Sequence, residues 1–103
     1  MIYENITELI GNTPLLKISS DVHKLEHITL YVKLEMYNPF GSVKDRIAYN
    51  MVKDSLAEIK EQKKTIIESS SGNTAKALAT LSCMNNIPFT VITNRIKTQS
   101  VRE

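Results

Sequence analysis

Asn38-Pro39-Phe40-Gly41-Ser42-Val43-Lys44-Asp45-Arg46 is the stretch on which the reading of this chain turns. Asn38-Pro39 breaks the segment before it, and Gly41-Ser42 makes a turn. Ser42 is a natural N-cap, so a helix is expected from Val43 to about Ile59. At roughly 100° per residue, Lys44, Ile47, Ala48, Met51, Val52 and Ile59 fall within about 120° of arc. Arg46, Asn50, Lys53 and Lys60 fall on the other side. Lys44 is thus a cation on the expected core face. Two readings fit it: a charge that snorkels from a frayed first turn, or a group with a specific partner or chemical task.

A lysine used as a nucleophile must lose its proton near neutral pH, which from the ordinary value costs about 4.6 kcal/mol. A helix start supplies about 0.3–1 kcal/mol of that. Desolvation or a neighbouring cation has to do the rest. Arg46 is a poor candidate for that neighbour, because it projects from the other face.

Upstream, Ile28, Leu30, Val32 and Leu34 alternate with Thr29, Tyr31, Lys33 and Glu35, the period of a strand with one buried face. Gly11-Asn12-Thr13-Pro14 is turn chemistry, with a short strand expected over Leu15 to Ile18. Downstream, Thr65-Ile66-Ile67 reads as a core strand. Ser69-Ser70-Ser71-Gly72-Asn73 is a loop, and an alanine-rich helix runs from about Thr74 to Asn85, apolar enough to be buried on most sides. Asn85-Asn86 is a left-handed stop, Phe89 to Thr93 a third core strand, and Thr98 to Glu103 the start of another helix. Alternation of strands and helices implies a parallel sheet with crossover helices. Both loops, 37–43 and 69–73, then follow strands, at the edge where open α/β sheets bind ligands.

The second loop has two readings of its own. Serines before a helix cap it. Free N–H groups beside Gly72 also form an anion site. No Walker loop and no Gly-x-Gly-x-x-Gly fingerprint is present.

Composition sets bounds. At 103 residues the chain is one domain at most. A formal charge of +2 with mixed signs argues against a nucleic-acid surface, and no apolar run approaches a membrane span. With one cysteine there is no internal disulfide framework, and the expected location is cytoplasmic. Cys83 is expected to be a buried structural thiol. His23 and His27, four apart, lack further ligands and read as solvated loop residues.

Four blocks in order, Ile10 to Leu15, Val32 to Glu35, Asn38 to Arg46 and Ser71 to Thr74, closely resemble the N-terminal part of the cysteine synthase and cystathionine β-synthase family. These are pyridoxal-phosphate enzymes of the tryptophan-synthase-β-like fold, and the resemblance covers nearly the whole chain. It implies an α/β fold: a partial parallel sheet with crossover helices, one incomplete domain over residues 1–103. It also implies roles. Lys44 would hold pyridoxal 5'-phosphate as a Schiff base and serve as acid and base at the substrate α-carbon. Asn73 would hydrogen-bond the cofactor's ring hydroxyl. Ser70, Ser71, Gly72 and Thr74 would grip the substrate carboxylate. The Gly-Ser-Val-Lys-Asp-Arg form resembles the β-replacement branch, acting on serine, O-acetylserine or O-phosphoserine.

Departures bear on substrate identity. Ser69-Ser70-Ser71-Gly72-Asn73-Thr74-Ala75 stands where the family commonly has Pro-Thr-Ser-Gly-Asn-Thr-Gly, and no proline follows Thr93. The chain has three glycines, Gly11, Gly41 and Gly72, each already placed in a motif. The family's glycine-rich phosphate loop, and the group facing the pyridine nitrogen, have no counterpart here. The expectation is a truncated product, split-gene partner or fragment, inactive alone. Its partners would be a missing C-terminal half or an intact homologue, with a homo-oligomer when complete. Exposed sheet edges should make it marginally stable or self-associating in isolation.

Overall fold

The computed structural model describes residues 1–93; the helix expected at Thr98 to Glu103 lies outside them. A capped 3-10 turn, Ile6–Leu9, opens the chain. Strand β1 (Leu15–Ile18) follows the Gly11 to Pro14 turn, and β2 (Leu30–Lys33) returns beside it after a single turn of helix, α1 (Ser20–His23). The two pair antiparallel, with Leu16 opposite Val32 and Ile18 opposite Leu30. Strand β3 (Ile66–Ser69), helix α4 (Asn73–Met84) and strand β4 (Phe89–Ile92) form a parallel unit, with Ile66 opposite Phe89 and Ser69 opposite Ile92. The fold is α/β, and its parallel part is this two-stranded sheet with its crossover helix.

Three expectations about the elements change. The first concerns β2, which is not a core strand of the parallel sheet. It belongs to a separate two-stranded ribbon, and Leu30, Tyr31 and Val32 are all exposed. Period-two alternation specifies a strand but not which neighbour it pairs with.

The second concerns the helix from Val43 to Ile59, which is two helices, α2 (Lys44–Lys53) and α3 (Leu56–Glu61). The break falls at Asp54-Ser55, residues of low helix propensity, where the Ser55 N–H turns back to the Val52 carbonyl at 3.1 Å. The buried face of α2 is Asp45, Ala48 and Val52. Ile47 and Met51 are about half exposed and Lys44 is half-buried, so Lys44 flanks the buried face and does not sit at its centre. The apolar stripe is wider than the surface that the described residues cover.

The third concerns Cys83, which is exposed. The buried face of α4 is Ala77, Leu78, Leu81 and Ser82, and at roughly 100° per residue Cys83 falls on the opposite side of the helix. A helix rich in small residues reads as buried all round, but only one side of α4 is.

The core joins α2 to α4. Phe40, Ala48, Val52, Ala77, Leu78 and Leu81 cluster, with Ile10, Tyr49, Leu56, Ile66 and Phe89 packed against them. Helix α4 ends as its sequence implies. Asn86 takes a left-handed φ of 56°, the Asn85 side chain donates to the Leu81 carbonyl, and the Ile87 N–H reaches the Ser82 carbonyl at 2.8 Å. The Cα radius of gyration is 17.5 Å, against about 13 Å for a compact domain of this length. That breadth matches the many exposed large apolar residues, among them Ile67, Val91 and Ile92 of the parallel sheet.

Candidate functional site

The start of α2 is built by a tight turn. Asn38 is buried; its amide donates to the Glu35 backbone carbonyl and to Glu35 Oε2, each at 2.9 Å, and its Oδ1 accepts the Gly11 N–H at 2.8 Å. Gly41, at φ 98°, closes the turn onto the Asn38 carbonyl at 2.9 Å. Ser42 Oγ accepts the Lys44 N–H at 3.1 Å, but the N-cap position falls one residue later than expected, at Val43, which has no side-chain cap. Asp45 is fully buried, and its Oδ2 accepts the Phe40 N–H at 2.6 Å. Its Oδ1 is buried with no partner among the described residues.

Sequence reasoning missed the group beside this turn. Arg46, read as an outward charge, meets Glu35 with Nε at 2.7 Å from Oε2 and Nη2 at 2.8 Å from Oε1. The same Nη2 donates to the Gly11 carbonyl at 3.1 Å, and Thr13 Oγ1 donates to Glu35 Oε1 at 2.8 Å. The Lys33 ammonium donates to the Thr13 carbonyl. The Arg46 hydrogen bonds, then that of Thr13, hold the Glu35 carboxyl at about 2, well below the usual carboxylate range. Glu35 in turn raises the Arg46 pKa. The only signal in the sequence was that Thr13, Glu35 and Arg46 each fall in a recognised block; their separations carry no helix or strand period.

At the start of α4, Ser70 Oγ accepts the Gly72 N–H at 3.4 Å and the Ala75 N–H at 3.3 Å. The N-cap itself is Gly72, with no side-chain cap; Ser70 reaches the first turn from two residues earlier, and its own hydroxyl hydrogen is left to donate. The N–H groups of Asn73 and Thr74 have no acceptor among the described residues. Ser71, Gly72 and Asn73 are exposed, and Thr74 is half-buried. Ser69, Ser70 and Ser71 line a cleft of about 270 Å³ with Ile92 and Thr93, at the carboxyl ends of β3 and β4.

Helices α2 and α4 lie side by side in the same direction. At one end the Lys76 ammonium nitrogen lies 3.6 Å from where a side chain on Gly41 would begin. At the other, Val52 and Leu56 share a cavity wall with Leu81 and Met84. Lys44 and Asn73, the first residues of the two helices, therefore share one end of the pair. No hydrogen bond joins the Lys44 ammonium to the 69–74 loop among the described residues.

A family model described as pyridoxal-phosphate dependent enzyme matches residues 6–103. Cysteine synthase B of Campylobacter jejuni is 38% identical over 92 residues, which are 88% of this chain and 29% of that protein. The O-acetylserine dependent cystathionine beta-synthase of Bacillus subtilis is 48% identical over 77 residues, 73% of this chain and 24% of that protein. Among solved structures, O-acetyl serine sulfhydrylase isoform 3 of Entamoeba histolytica superposes with a TM-score of 0.83 at 31% identity, over 99% of this chain and 32% of that one. The chain belongs to the pyridoxal-phosphate dependent enzyme family, and cysteine synthases and cystathionine β-synthases are among the relatives it matches. It spans about a third or less of their length.

The residues present fit one side of the family's cofactor. Lys44 offers an amine at a helix start, and Asn73 a side-chain amide at the same end. The phosphate has no glycine-rich cup in this chain. Gly11 packs against Arg46, Gly41 closes the turn before α2, and Gly72 precedes α4.

Proposed function

We propose that residues 1–103 are the N-terminal part of a pyridoxal-phosphate dependent β-replacement enzyme, in which Lys44 is the amine that binds the cofactor aldehyde. The observation that carries this is the shared end of α2 and α4, where Lys44 starts one helix and Asn73 and Thr74, whose N–H groups have no acceptor among the described residues, start the other. When bound, the cofactor supplies an electron sink for the substrate α-carbon. Lys44 takes the α-proton and returns it after the new β-substituent is in place. Asn73 hydrogen-bonds the ring hydroxyl. Ser70, Ser71, Gly72 and Thr74 bind the substrate carboxylate, through hydroxyls and backbone N–H groups at the positive end of α4. The amino-acid substrate is serine, O-acetylserine or O-phosphoserine, and the product is cysteine or a related amino acid. The working assembly is a cytoplasmic homo-oligomer that includes the phosphate-binding residues, and the 103-residue chain alone does not turn over.

The test is complementation. A piece of a full-length relative, beginning after the matched region and shown to co-purify with this chain, is assayed with O-acetylserine and sulfide. Cysteine formation that is lost with Lys44→Ala supports the proposal. A co-purified complex that binds pyridoxal phosphate yet forms no product from any of the three amino acids overturns it.

The exposed apolar flank of α2, Ile47 and Met51, favours a second reading: a non-catalytic homologue that associates with an intact family member. In that case Lys44→Ala leaves both association and the partner's activity unchanged, and Met51→Glu weakens association.

A further inference from the structure

Lys44 is the first residue of α2, a position where helices fray. A helix of 10 residues has little stability of its own. Yet the two residues after Lys44 are tied down in different directions. Asp45 turns inward and holds the Phe40 N–H at 2.6 Å. Arg46 reaches across to Glu35, the Gly11 carbonyl and the Thr13 hydroxyl. Glu35 also accepts from Asn38, which accepts from Gly11, so the ring closes on itself. It joins the turn before β1, the 3-10 turn Glu35–Tyr37 after β2, and the first turn of α2.

Stability alone is a poor account of this arrangement. Asp45 is a fully buried carboxyl group with one oxygen unpartnered among the described residues, an unfavourable way to fill a core position. Arg46 bonds to residues 33 and 35 positions away, so it fixes one segment against another and adds nothing within the helix. None of these side chains hydrogen-bonds the Lys44 ammonium among the described residues. Whatever they do for it passes through the backbone.

We infer that Glu35, Asp45 and Arg46 are positioning residues for Lys44, pinning the first turn of α2 so that the amine is presented at the end it shares with α4. The inference rests on the reading of Lys44 as the cofactor-binding amine. A misplacement of about 1 Å costs roughly a hundredfold in reactions that depend on orientation, so loosening this turn should show in Lys44 chemistry before it shows in the fold.

The experiment uses the 103-residue chain. It is incubated with pyridoxal phosphate, reduced with borohydride and digested, and the label on each lysine is quantified. Lys53, at the other end of α2, is the internal control, and far-UV circular dichroism selects variants that fold. In wild type, Lys44 carries more label than Lys53. Arg46→Lys keeps the cation and loses the fork; Glu35→Gln keeps the shape and loses the charge. Each lowers the Lys44 to Lys53 ratio about tenfold or more, with Lys53 labelling unchanged. Asp45→Asn, which keeps an acceptor for Phe40, retains the ratio that Asp45→Ala loses. A ratio that is high in wild type and unchanged in folded Arg46→Lys and Glu35→Gln overturns the positioning role and leaves the reading of Lys44 standing. No preference for Lys44 in wild type overturns both.

Discussion

Arg46 grips Glu35 through two parallel hydrogen bonds, Nε to Oε2 at 2.7 Å and Nη2 to Oε1 at 2.8 Å. This fork-to-fork geometry fixes direction as well as distance, which a lysine in its place would not do. Its effect is to join the first turn of α2 to the 3-10 turn Glu35–Tyr37, which follows β2 of the antiparallel ribbon.

The pair makes stability depend on acid in a defined window. The Glu35 carboxyl sits at about 2 in the folded chain, chiefly through the Arg46 hydrogen bonds. An unfolded glutamate titrates near about 4.3. The unfolded state therefore binds the proton first, and the stabilisation is complete above about 4.3 and lost as pH falls towards about 2. Urea midpoints of wild type should drop across that window, and those of Glu35→Gln should drop less. Lys64 lowers the Glu58 pKa too, so some acid sensitivity remains in the variant.

The core is thin enough that one truncation should dominate. Leu81 is 1% exposed and belongs to the cluster between α2 and α4. Leu81→Ala should cost about 2–5 kcal/mol in urea unfolding. Met51→Ala, on the exposed flank, should stay within about 0.5 kcal/mol. Equal effects would mean that the buried face of α2 and α4 is assigned wrongly.

Asp45 should be sensitive to the chemistry of its replacement more than to its charge. Asp45→Ala leaves the Phe40 N–H without its acceptor at a buried position, a cost of about 1–3 kcal/mol. Asp45→Asn keeps an oxygen for that N–H and should cost less. The comparison is read from denaturation midpoints, with hydrogen exchange at the Phe40 amide as the local probe.

Gly11→Ala should act at a distance, through Arg46. Gly11 has φ 86°, where an L side chain is strained, and a Cβ there would lie 2.8 Å from Arg46 Nη1. The variant should lose stability and show the weakened acid dependence of Glu35→Gln, because the guanidinium has to shift. An unaltered pH profile would separate Gly11 from the clamp.

The parallel unit was legible because its signals are local. Ile66 and Ile67, the alanine-rich helix and the Asn86 stop each act within a few residues, and all appear in β3, α4 and its end. The pairing of β1 with β2 was not legible. Leu16 and Val32 meet across a long connection, and alternation alone does not choose a partner. The apolar stripe of α2 was real, but how much of it is covered depends on tertiary neighbours, so Ile47, Met51 and Lys44 were placed too deep. The candidate site was legible as two loops before two helices. The clamp was not, because Gly11, Thr13, Glu35 and Arg46 come together only through the fold.

The most direct measurement is the visible absorbance of pyridoxal phosphate on the complemented chain after gel filtration, compared between wild type and Lys44→Ala. If Lys44 is the cofactor-binding amine, an imine band travels with the wild-type complex and is absent from the variant. An imine band of the same position and intensity in Lys44→Ala would contradict the account.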